Sequence, residues 1–191
     1  MAFVHLHNHT EYSLLDGLTH VKDMVRRAAD LDMPAVAITD HGVMSGVPEL
    51  CDACSAVEKE TGKKVKPIYG CEVYFTTDEE LRKDVKPKLY HLLLLAKTNE
   101  GYHNLLHLVS ESHVDNFYYK PRTTLEMLRA HSEGIIATAA CVSGIIPRSI
   151  LRGQPDEALK WARTFKEVFA PGDFYIEIQD HGLTFENGMT D

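Results

Sequence analysis

Apolar residues along the chain fall into short runs separated by longer amphipathic stretches. The run "AFVHLHN" (2–8) predicts a strand, as do 34–40 ("PAVAITD"), 66–76 ("KPIYGCEVYFT"), 90–97 ("YHLLLLAK"), 135–141 ("IIATAAC") and 173–179 ("DFYIEIQ"). Residues 19–33 predict a helix: Val21, Met24, Val25, Ala28 and Leu31 share one face, with Thr19 as N-cap. Further helices are predicted at 45–62, stopped by Gly62, near 99–113, at 123–134, stopped by Gly134, and at 156–169. The Lys-rich stretch 78–88 and "FYYKPR" (117–122) read as loops. Strand 34–40 is almost continuously apolar, as suits a strand covered on both faces. The alternation predicts parallel strands with helical crossovers in one domain, 1–191. An open doubly wound sheet and a β/α barrel both satisfy it.

Composition narrows the classes. With 191 residues, 44% of them hydrophobic, the chain can bury a substantial core. It holds no apolar run of the ~18 residues that a membrane span needs. Its start, "MAFVHLHNHT", is not a secretory signal. Four cysteines (Cys51, Cys54, Cys71, Cys141) make no disulfide scaffold in a chain this long, and a reducing, cytoplasmic setting is expected. The net charge of −8 argues against a basic nucleic-acid-coating surface. It leaves a nuclease open, because metal ions held by carboxylates can meet a phosphate on an acidic protein. Eleven histidines are the outlier, and histidine is the commonest metal ligand.

Strand alternation puts His5, His7 and His9 on one face, with His7 and His9 at the C-terminal end where active groups of β/α proteins gather. The second strand runs into "TDHG", which brings Asp40 and His41 to such an end. Glu72 stands inside an apolar strand, where a carboxylate is costly unless it is paired or metal-bound. Cys141, closing the fifth strand, is a soft ligand. Four strand ends carrying His, Asp, Glu or Cys point to one metal site. "QDHG" echoes "TDHG" and adds Asp180 and His181 as candidates. Lys120 and Arg122, among aromatics, can hold a phosphate backbone. Glycine-rich nucleotide fingerprints and the nucleophile elbow are absent. Cys51-x-x-Cys54 has no second pair and reads as two helix positions, with Cys54 toward the core.

The ordered set "HLHNHT…LLDG…ITDHG…GCEVY…YHLLLLAKTNEGYHNL…AACVSG" resembles the PHP (polymerase and histidinol phosphatase) domain over nearly the whole chain. "HLLLLAKTNEGYHNL" and "FYIEIQDHGL" resemble its polymerase branch, the amino-terminal domain of bacterial DNA polymerase III alpha subunits. The resemblance implies an α/β fold, a distorted (β/α)7 barrel with up to three divalent ions. By its motifs His7, His9, Asp16, His41, Glu72, His91 and Cys141 are the ligands, with Glu72 bridging two ions. Asp16 and His91 enter only through the resemblance. Zinc or manganese is expected, with magnesium admitted. The implied activity is metal-dependent phosphoester hydrolysis, through a water held by His7, His9 and Glu72. In a polymerase this would act as a 3′–5′ exonuclease on the 3′ end of DNA. The implied partners are the rest of the alpha subunit and replisome subunits. A silent structural domain that binds accessory subunits, and a phosphomonoesterase, are the alternatives. The family's closing Asp-x-His has no counterpart after Cys141, which implies a domain lacking its last strand and motif.

Overall fold

The computed structural model describes residues 3–77 and 87–180, which form a mixed α/β fold. In chain order the elements are α1 (Val21–Asp30), β1 (Ala35–Ile38), α2 (Val47–Thr61), β2 (Lys66–Phe75), β3 (Tyr90–Ala96), α3 (Asn99–Val114), β4 (Phe117–Tyr118), β5 (Lys120–Thr123), α4 (Leu125–Ala130), β6 (Ile135–Thr138), α5 (Ile145–Leu151), α6 (Pro155–Val168) and β7 (Phe174–Tyr175). The loop predicted at 78–88 lies mostly outside the described residues.

The longer elements follow their patterns. Helix α1 buries Val21, Val25 and Ala28, while Leu31 is exposed and Ala29 is buried in its stead. His20, not Thr19, stands at its N-cap, and the Glu11 carboxylate accepts from the Val21 amide at 3.0 Å. A carboxylate there satisfies an orphan amide and opposes the helix dipole. Helix α2 stops at Gly62, whose φ of 71° is the left-handed cap that glycine adopts without a Cβ clash. Cys54 is buried on α2, and Cys51 shares a hydrogen bond with the Tyr69 hydroxyl at 3.0 Å. Two features escaped the pattern. "FYYKPR" folds into the β4–β5 hairpin, whose strands are too short to show alternation. Helix α5 carries Pro147 in its first turn, where proline is tolerated.

The seven described strands form one sheet along the path β4-β5-β2-β3-β6-β7, with β1 also paired to β2. Strand β2 is the hub. One edge carries β3, and the other carries β1 beside Lys66–Tyr69 and then β5 beside Tyr74 and Phe75. The all-parallel expectation fails at β3, which is antiparallel to both β2 and β6. Antiparallel neighbours need no crossover helix, and the sequence between Phe75 and Tyr90 predicts none.

Alternation divides the two long strands. Cys71, Val73 and Phe75 pair across with Leu94, Leu92 and Tyr90. All six join the larger apolar cluster with Leu105 and Leu108 of α3 and Trp161 and Phe165 of α6. A smaller cluster packs α1 and α2 on β1 through Val21, Val25, Val36, Ile38, Leu50 and Val57. The other face of β2 and β3 presents Glu72, Tyr74 and His91.

The predicted first strand is a correction. Residues 3–9 run beside β1 without a regular ladder. His5 O accepts from the Ala37 amide and Asn8 O from the Thr39 amide, at 3.1 and 3.0 Å. The acceptors are three residues apart where the donors are two apart, so one residue is extra, as in a bulge. The Asn8 side chain fills the irregularity by donating to His5 O and Ala37 O. The expected common face of His5, His7 and His9 is thereby broken. His5 is exposed and packs edge-on to Phe3, while His7 and His9 turn inward.

Candidate metal centre

Glu72 is the middle of the site. Its carboxylate is 1% exposed, at the hub of the sheet. Four imidazoles surround it. His7 Nε2 and His91 Nδ1 lie 3.3 and 3.0 Å from Oε1, and His9 Nε2 and His41 Nδ1 lie 3.3 and 2.8 Å from Oε2. Two ligand sets with mutually close donor atoms result, His7–His9–Glu72 and His41–Glu72–His91, and Glu72 belongs to both. Cys141 Sγ approaches His91 Nδ1 at 3.5 Å and Glu72 Oε1 at 3.9 Å. Asp16 Oδ2 lies 2.9 Å from His41 Nε2.

Each ligand is placed by its own element. Glu72 and His91 come from β2 and β3, two residue pairs apart in register and so on the same face, since His91 faces Tyr74. His41 follows β1 and makes an isolated parallel bridge to Glu72. The loop holding Asp16 is tied down by the buried Asp40, which accepts from the Thr10 amide, the Thr10 hydroxyl and the Ser13 hydroxyl. Ser13 Oγ also accepts from the His41 amide and lies 3.4 Å from His9 Nδ1. Gly17 closes this loop: a Cβ there would sit 1.7 Å from Thr10 O. Cys141 follows Ala140, whose φ of 56° turns the chain after β6.

Electrostatics ties these groups together. Burial by itself would raise the Glu72 carboxyl, but His41, His7 and His91 hold it far below the usual carboxylate range. Burial opposes charge on His7 as well, yet Glu177 and Glu72 raise it to about 10. His91 is raised to about 9 by Cys141 and Glu72 against its burial, and His41 is raised by Glu72. His9 is lowered by burial and by His41. The Cys141 thiol, which burial would raise, is lowered by His91 and the Ser143 amide.

The residues fit divalent ions. His41 Nδ1 and Glu72 Oε2 are buried only 2.8 Å apart, yet neither makes a hydrogen bond. Two such orphaned atoms are costly, and a cation that takes a lone pair from each removes the cost. A carboxylate on the far nitrogen of a ligating imidazole is the usual support of a metal site. Asp16 gives His41 that support, and Glu177 gives it to His7 at 2.7 Å. Sequence reasoning missed Glu177. Its signal was an acid inside the apolar run 173–179, where Thr138 Oγ1 and Gln179 Nε2 also donate to it.

The other candidates separate. Lys120 lines a cleft of about 510 Å³ over the centre, together with Leu14, Leu15, Asp16, Tyr74 and His91. Arg122 is 1% exposed and donates from Nε to Asn116 O at 2.8 Å, inside the β4–β5 hairpin. Asp180 ends the described chain and stands in neither ligand set, and His181 lies outside the described residues.

Comparison with known proteins places the chain by its sequence. The chain is 40% identical over 189 residues to DNA polymerase III subunit alpha of Treponema pallidum, covering 97% of this chain and 16% of that protein. It is 42% identical over 184 residues to DNA polymerase III subunit alpha of Borreliella burgdorferi, covering 95% and 15%. The chain therefore spans about a sixth of the length of these relatives. A solved structure from Bifidobacterium adolescentis, assigned as a metal-dependent phosphoesterase, superposes with a TM-score of 0.38 at 22% identity, covering 59% of this chain and 34% of the other. That likeness is too low to carry the fold across. The PHP domain profile matches residues 5–181, and with these relatives it places the chain in the PHP domain family.

Proposed function

We propose that this chain is the amino-terminal PHP domain of a DNA polymerase III alpha subunit, and that its centre hydrolyses phosphodiesters at the 3′ end of DNA. One observation carries the reading: a buried carboxylate shared by four imidazoles, with Glu72 Oε2 and His41 Nδ1 both without a hydrogen bond. On this reading the sheet belongs to a distorted β/α barrel, in the cytoplasm and among the other replisome subunits. No helix among the described residues is long and apolar enough to cross a membrane.

His7, His9, Asp16, His41, Glu72, His91 and Cys141 would hold the ions, and Glu72 would be common to two of them. Nitrogen, oxygen and thiolate donors together suit zinc and admit manganese; magnesium would rely on the carboxylates. Bound ions lower the pKa of a water and offset charge on the phosphoryl oxygens. The chain's own groups do the rest. Glu177 and Asp16 orient His7 and His41 through their far nitrogens. Ser13 holds His9 and the turn at His41. Lys120 reaches into the cleft, where its ammonium binds the substrate phosphate.

The test uses the whole polymerase subunit with a labelled 3′ end. Release of 3′ nucleotides should depend on added metal and vanish in His9→Ala and Glu72→Ala. Release that survives both substitutions defeats the reading. The residues of the two ligand sets come from four separate stretches of chain, which also favours a purely structural metal. Under that alternative, chelation lowers the melting temperature of a protein that never cleaves DNA.

A further inference from the structure

We propose that the cleft over the centre takes the end of a single-stranded polynucleotide, with one base held between Tyr119 and Leu15 and the adjoining phosphate on Lys120. This deepens the phosphodiesterase reading and rests on it.

The β4–β5 hairpin forms one wall. Lys120 and Pro121 line the cleft. Tyr119 is the next residue toward the hairpin tip, its Cα ~3.8 Å from that of Lys120. Tyr119 is 66% exposed and has a φ of 62°. Glycine or asparagine is the ordinary occupant of such a turn position, because a Cβ is strained there. An exposed aromatic ring in a left-handed conformation buries little to offset that strain, and strained positions of this kind gather at ligand clamps. The ring is also held in place. Tyr118 packs edge-on to it with centroids 4.7 Å apart, and the Arg122 guanidinium sits 5.5 Å from the centre of the Tyr118 ring. Arg122 in turn is anchored on Asn116 O inside the hairpin. A cation expected to touch substrate therefore serves to stiffen the platform.

Another part of the lining is apolar. Leu14 and Leu15 are 90% and 89% exposed, on the same loop that delivers Asp16 to His41. Two adjacent bare leucines beside a polar centre match a ligand with an apolar face and an anionic edge. A nucleotide has both, and only a single strand frees the faces of its bases. Charge points the same way. The chain carries a net charge of −8, and Lys120 gives this cleft an ammonium that draws phosphate.

The experiment measures binding of a dye-labelled DNA oligonucleotide to the whole polymerase subunit by fluorescence anisotropy, so it does not depend on hydrolysis. Tyr119→Gly, which relieves the backbone strain, should weaken binding about tenfold, and Tyr119→Phe should restore it. Leu15→Ser should weaken it less. An abasic oligonucleotide should bind weakly and equally to wild type and Tyr119→Gly. Lys120→Gln should reduce the slope of log affinity against log salt by about 0.7. The proposal is overturned if Tyr119→Gly binds within about twofold of wild type, or weakens the abasic strand as much as the normal one. Metal content of the variants should equal that of wild type. If nucleotide release fails while these binding differences hold, the hydrolytic reading falls and the binding site stands.

Discussion

The two faces of the β2–β3 pair are built from the same ladder and do opposite things. On one face Cys71, Val73, Phe75, Leu92 and Leu94 are buried among aliphatic and aromatic neighbours. On the other, Glu72 is buried and His91 half-buried, and their neighbours are His7, His9, His41 and Cys141. The apolar face depends on volume and area, which many residues supply. The polar face depends on the direction of a few lone pairs, which few residues supply. Substitution on the first should cost stability, and substitution on the second should cost metal and chemistry.

The sharpest break of this contrast is Phe75→Ala. Phe75 is fully buried against Trp161 and Phe165, with ring centroids 5.3 Å from each. Its truncation should lower stability by about 3–5 kcal/mol in denaturant melts. A loss under about 1 kcal/mol would show that the apolar face is not tightly packed.

On the polar face, Glu72→Ala should reduce metal affinity by more than about 100-fold, beyond the upper end for groups that merely support ligands. It should also make the melting temperature insensitive to chelator, which mass action predicts when nothing is bound. Metal analysis together with thermal melts decides it. Retained stoichiometric metal would remove Glu72 from the centre.

Glu177→Gln should act more weakly, by roughly 10–100-fold in metal affinity, because Glu177 holds His7 rather than the ion. An unchanged affinity would leave Glu177 as a packing residue of the chain after β7.

A further effect is graded by pH rather than made by substitution. His7 is raised to about 10 and His91 to about 9, so at neutral pH both carry protons in the metal-free protein. Both must lose them to ligate. Affinity should therefore rise with pH, by about tenfold per unit for each proton displaced, and level off above those values. Competition titrations at about pH 6 and about pH 8 measure the slope, centred where imidazoles titrate. A flat profile would mean that these imidazoles are not ligands.

Legibility followed the range of the interactions. Amphipathic helices such as α1 and α6 were readable because periodicity is local. The strand positions of Glu72 and Cys71 were readable because alternation is local too. The partners of Glu72 were not, since they lie 19 to 69 positions away along the chain. His91 opened an apolar run and Asp16 stood in a turn, so only the resemblance brought them forward. Glu177 was missed because its significance is a contact with His7, at the other end of the described chain.

By itself the sequence determined the longer helices and most strands, since these rest on periodicity, and its motifs determined the family and named candidate ligands. The tertiary structure decided the reversal of β3, the extra residue that separates His5 from His7 and His9, and the burial of Arg122. It also decided that the four imidazoles meet on one carboxylate. The physical reason is common to all of these. Strand direction, register and the convergence of lone pairs are set by which distant segments pack together, and no local pattern of residues encodes that choice.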